Sequence, residues 1–159
     1  MKNFYILLLF IFLFSSLITK AQQNPIDSLE ALIESSEIDT VKINSMIELA
    51  NMLRGRDNEQ AMIYAEQALD LAKEIDFKPG MAEVYKTLGI LNFMFGNIDK
   101  AIESTNLSKE TYIELGDRNG EAACYVNTGI FNRNTGDIEG AGESYQKALE
   151  IYKEIGDNE

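Results

Sequence analysis

A chain of 159 residues with 26 acidic and 14 basic side chains carries a formal charge of −12. A charge of that sign repels phosphate backbones and anionic lipid surfaces, which makes nucleic acid a poor candidate partner. With no histidine and a single cysteine, Cys124, the chain can build neither a histidine-activated nucleophile nor an intramolecular disulfide, and a zinc site would rest on one thiolate and carboxylates. Catalysis, a cofactor and a metal are therefore not expected.

Residues 1–21 read as a secretory signal peptide. Met1, Lys2 and Asn3 give a short basic start, and the apolar run from Phe4 to Ile18 is broken only by Ser15 and Ser16. Thr19 and Ala21 are small enough for a signal peptidase to cut before Gln22. The run is shorter than the ~20 residues a membrane-spanning helix needs, so cleavage is expected rather than anchorage. No cysteine follows it to take a lipid. The exported chain, periplasmic or secreted from a bacterium, loses Lys2 and Lys20 and becomes more acidic.

Residues 22–40 form a linker with a short helix. Ile26, Leu29, Leu32 and Ile33 fall at helical spacing and predict an amphipathic helix over Ile26–Ser35. Ser35-Ser36 ends it, and Asp39 or Thr40 is expected to cap the next helix. Asp27-Ser28-Leu29 and Asp39-Thr40-Val41 also resemble a short O-glycosylation motif of exported bacterial proteins, but capping accounts for these residue types more simply.

From residue 41 the sequence repeats itself with a period of 40. Gly89, Gly96, Ala101, Gly116 and Asp117 recur as Gly129, Gly136, Ala141, Gly156 and Asp157, while Ala61 leads Ala101 and Gly80 leads Gly120 by the same interval. Repeat 41–80 has a first helix carrying Val41, Ile43, Ile47, Leu49, Ala50 and Leu53. Its turn is Gly55-Arg56-Asp57-Asn58, and Pro79-Gly80 closes its second helix. Repeat 81–120 predicts helices Ala82–Phe95 and Asp99–Leu115, and repeat 121–159 predicts Glu121–Asn134 and Glu139–Ile155. Glycine after an apolar run ends one helix, and the Asp or Asn behind it starts the next. No segment alternates apolar and polar residues as a strand would. Cys124 falls within a helical pattern and reads as a small buried apolar residue.

These residues resemble the tetratricopeptide repeat, whose pattern runs aromatic-x-x-Leu-Gly, then a turn Gly, then Ala-x-x-x-aromatic in a helix–turn–helix unit. The second repeat supplies Tyr85, Leu88, Gly89, Gly96 and Ala101. The third supplies Tyr125, Thr128, Gly129, Gly136, Ala141 and Tyr145, and the first, a weaker match, Met46, Leu49, Ala50 and Ala61. The usual period is about 34 residues. The longer period here is similar to the extended repeats of signalling adaptors and bacterial regulators. The family's late first-helix tyrosine is replaced by Asn92 and Asn132.

The resemblance implies an all-α, right-handed superhelix. Its first helices would line a concave groove for a protein or peptide, with Asn51 and Arg54 from the first repeat, Lys86, Ile90, Phe93 and Met94 from the second, and Ala123, Val126, Asn127, Ile130 and Arg133 from the third. Asn127 is the candidate for bonding an extended ligand backbone. Lys86, Arg54 and Arg133 could meet an acidic peptide or terminal carboxylate, or could simply pair with a Glu nearby.

The last helix carries Ala148, Leu149, Ile151, Tyr152 and Ile155, and its outward face, with Ile151 and Ile155 on it, is expected to lack a covering helix. This suggests a chain cut short, or one that associates with itself. The expected function is an exported binding scaffold. The alternative is the sensory ectodomain of a longer membrane protein whose output domain (kinase, cyclase or transcriptional regulator) lies elsewhere.

Overall fold

The computed structural model describes residues 24–156, which form seven helices joined by short turns and contain no strand. The proposed signal peptide at 1–21 lies outside the described residues. The helices are α1 (Pro25–Ser35), α2 (Asp39–Leu53), α3 (Asn58–Glu74), α4 (Lys78–Met94), α5 (Ile98–Leu115), α6 (Arg118–Thr135) and α7 (Ile138–Gly156).

Local chemistry sets the ends. Asp57, Asp117 and Asp137 each accept a hydrogen bond on the side chain from the backbone N–H three residues on, at 3.0, 2.9 and 2.9 Å. Gly116 and Gly136 end α5 and α6 in the left-handed region, at φ 70° and 91°.

Two boundaries differ from expectation. Pro79-Gly80 does not close the first repeat. Pro79 sits in the first turn of α4, where its missing N–H is no loss, and Gly80 is helical. The left-handed residue there is Asp76, at φ 52°, in the place Gly116 holds one period later. The Phe77 N–H bonds Ala72 O at 2.8 Å, just as Asp117 N–H bonds Tyr112 O at 2.9 Å. Asp tolerates the conformation that Gly adopts freely. Neither Asp39 nor Thr40 caps α2. Both lie inside it, and the Ile38 N–H at its entry is held by Ser36 Oγ at 3.1 Å.

Successive helices pack as neighbours, and α4 also touches both α2 and α6. Within a pair the helices run antiparallel: Gly89 lies against Thr105 while Ser108 Oγ donates to Ala82 O at 2.8 Å. The first helices run parallel, one period apart, with Thr87 Oγ1 on Asn51 Oδ1 at 3.4 Å and Phe93 stacked on Phe131. An ion pair repeats with the same period. Lys78 meets Glu114 at 2.7 Å, and Arg118 meets Glu154.

The main core gathers Ile43, Ile47, Ala50, Ala61, Ala65, Ala68, Ala72, Val84, Leu88 and Leu91 from α2, α3 and α4. A smaller cluster of Ala82, Tyr112 and Cys124 joins α4, α5 and α6. Alanine along α3 and glycine at 89 let helices approach closely. A Cβ on Gly89 would stand 2.3 Å from Thr105 Oγ1 and 3.3 Å from Ala101 O.

The exposed face of α7 is not the one expected. Ala148 and Ile151 are buried against the rest of the fold at 3 % and 5 % exposure, and Ile155 is half-buried. Leu149 and Tyr152 are open, at 52 % and 43 %. Apolar residues fill two adjacent faces of this helix, and only one of them packs inward.

Candidate protein-binding face

The parallel stacking of α2, α4 and α6 determines which predicted groove residues stand together. Asn51 and Arg54 come from the last turn of α2 and its end. Lys86, Ile90, Phe93 and Met94 share one face of α4 by helical spacing, as do Ala123, Val126, Asn127, Ile130 and Arg133 on α6.

Several of these residues are already engaged within the fold. Asn51 accepts from Thr87, tying α2 to α4. Phe93 stacks on Phe131 with ring centroids 4.5 Å apart and planes 17° apart, so it joins α4 to α6 and floors the face. Lys86 lies 2.6 Å from Glu83 and 3.4 Å from the Tyr112 hydroxyl, with its ammonium 5.6 Å above the Tyr112 ring centre. Its charge is met by the Glu three residues before it on the same helix. The Tyr112 hydroxyl donates to that same Glu83 carboxylate. Burial first, and then this bond to an anion, push the Tyr112 phenol far above its ordinary range.

The α6 portion is different. One period on, Glu83 and Lys86 become Ala123 and Val126, and Thr87 becomes Asn127. Asn127 is half-buried, and its side chain has no hydrogen-bond partner among the described residues. Val126 and Ile130 flank it, also half-buried, and Met94 opens to solvent at 43 %. Arg133 is exposed and Arg54 half-buried. Among the described residues, neither has a carboxylate at ion-pair distance.

Sequence reasoning missed Glu83 and Tyr112. The recurrence of Tyr112 as Tyr152 was a usable signal, but Glu83 has no counterpart in the third repeat. Asn92, where the repeat pattern carries an aromatic, is buried by donating to Leu88 O of its own helix at 2.9 Å. Cys124 is fully buried with Sγ 3.3 Å from Ser108 Oγ, and burial raises its thiol pKa, so it packs as an inert side chain. Among the described residues, no cluster of acidic or cysteine side chains could hold a metal ion, and no helix is long and apolar enough to cross a membrane. No family model and no curated protein matches this sequence.

Proposed function

We propose that this chain is an exported helical-repeat scaffold of the tetratricopeptide type. Its first helices line a concave, right-handed superhelical surface that binds a protein segment without catalysis of its own. Export rests on the apolar run and cleavage pattern of residues 1–21. The repeat reading rests on the period of 40 and on parallel first helices each of which touches the next.

The observation that carries the binding proposal is Asn127. A half-buried amide with no partner among the described residues can both donate to and accept from an extended backbone. Val126, Ile130 and Met94 provide apolar contact around it. Arg133 and Arg54 provide cations with no carboxylate at ion-pair distance among the described residues, suited to an acidic side chain or a terminal carboxylate. Lys86 and Phe93 serve as the floor of this surface rather than as contacts.

The test is binding to a peptide library that carries both free and amidated C-termini. Asn127→Ala should weaken the best binder by about tenfold while leaving the melting temperature in place. Arg133→Glu should act most strongly on acidic peptides. A ligand that binds both variants as well as the parent would exclude this face.

A further inference from the structure

Helix α7 exposes a tyrosine whose counterpart on α5 is buried. One period earlier, Tyr112 lies beneath α6 at 4 % exposure, while Tyr152 stands open at 43 %. A stripe on α7 runs Ile138, Gly142, Tyr145, Leu149, Tyr152 and Gly156, at alternating steps of four and three residues, with Tyr145 on its inner edge, its ring against Gly129 of α6. Such steps hold side chains in one line along a helix, as in the seam of a coiled coil. Ile138 and Leu149 are 67 % and 52 % exposed, both glycines are exposed, and Tyr145 is half-buried.

The order of side-chain sizes along this stripe is self-complementary. An antiparallel copy related by a two-fold axis beside Lys147 sets Ile138 opposite Gly156, Gly142 opposite Tyr152, and Tyr145 opposite Leu149. Each glycine then receives a large side chain from the other copy. Gly142 is open to receive one, since a Cβ there would meet nothing within 4 Å. On the exposed flank of the stripe, the same axis sets Glu139 beside the second copy's Lys153 and Gln146 beside its own counterpart.

The α5 helix lacks this pattern. It has Lys109 in place of Leu149, Ile102 in place of Gly142, and Ile113 in place of Lys153. The changes from α5 to α7 remove a charge from the seam, open a notch opposite a tyrosine, and supply a cation opposite Glu139. We propose that this face binds a second copy of the same chain, through antiparallel packing of α7 on α7 about a two-fold axis. The surface is separate from the first-helix face, so this proposal stands or falls independently of ligand binding there.

The test is sedimentation of the full chain over a range of concentrations, joined to cross-linking. A dimer that dissociates on dilution is expected. Leu149→Glu should raise its dissociation constant at least about a hundredfold, because a charge replaces a seam residue. Lys153→Glu should weaken it severalfold, and adding Glu139→Lys should restore it. Under mild oxidation Gln146→Cys should give a linked dimer, while Glu150→Cys, off the seam, should not. A monomer at about 100 µM overturns the proposal. So does association indifferent to Leu149→Glu, a charge swap that fails to restore the dimer, or equal cross-linking at both positions. A cysteine at 146 that is shielded from labelling in a monomer also overturns it, since residues of a longer chain would then cover the face.

Discussion

The second and third repeats share a backbone and a spacing pattern, yet one is closed and the other open. In the second, Tyr112 lies under Gly120, bonded to Glu83 and capped by the Lys86 ammonium. In the third, Tyr152 has Ala123 and Val126 at the equivalent positions and stands in solvent. The comparison teaches that a repeat pattern fixes where a side chain points, while the side chains packed on it, Glu83 and Lys86 for Tyr112, decide how that direction is filled.

The largest expected effect comes from a position that both repeats bury. Ala101 is fully enclosed in the second repeat, and Ala101→Glu places an unpaired charge there. A loss of about 4 kcal/mol is expected, read as loss of the cooperative melting transition. A folded variant with an unchanged denaturant midpoint would mean that the antiparallel register of α4 and α5 is wrong.

A pair of glycine substitutions sharpens the contrast. A Cβ on Gly120 would stand 2.3 Å from the buried Tyr112 ring, so Gly120→Val should cost about 2 kcal/mol by overpacking. Gly142→Val has open space and should leave the stability of the isolated chain within about 0.5 kcal/mol, while filling the notch proposed for Tyr152 of a second copy. Equal melting temperatures for the two variants would erase the distinction between closed and open repeats.

The smallest effect is a titration. The Tyr112 phenol keeps its proton in the folded state above pH 10.0, the ordinary value at which an unfolded tyrosine loses it. The folded state therefore binds more protons than the unfolded state in that range. The contribution is fully present below pH 10 and falls as pH rises, by up to about 1.4 kcal/mol per pH unit. Tyr112→Phe should cost about 1 kcal/mol at neutral pH and flatten this alkaline loss. Tyr152→Phe, at an open position, should leave the stability at neutral pH within about 0.5 kcal/mol. An alkaline profile that Tyr112→Phe leaves untouched would place its origin elsewhere.

Helix number, order and period were legible because glycine, aspartate and alanine recur at fixed intervals and no strand pattern competes with them. The first repeat was misread at Pro79-Gly80, because the residue that leaves the helix there is Asp76, which carries no glycine to mark it. Ile151 was assigned to the outer face of α7 because five apolar residues in eight fill two faces, and spacing alone does not say which one packs inward. Lys86 was visible as a rare cation. Its pairing with a Glu nearby was one of the readings, and Glu83 takes that place at 2.6 Å. The Tyr112 ring beside it was not legible, because Tyr112 lies 26 residues away and is brought near only by the antiparallel pairing. Asn127 stands out for the opposite reason: the replacements around it, Ala123 and Val126, take away the charged neighbours that Thr87 has.

Among the described residues, no helix touches another more than two places along the chain. Residues 24–156, connected this way, have no contact that spans them from end to end. Pulled by their ends, they would carry load through one helix junction at a time and yield first where the junction buries least. Such a stretch would yield length at one joint while the rest keeps its shape.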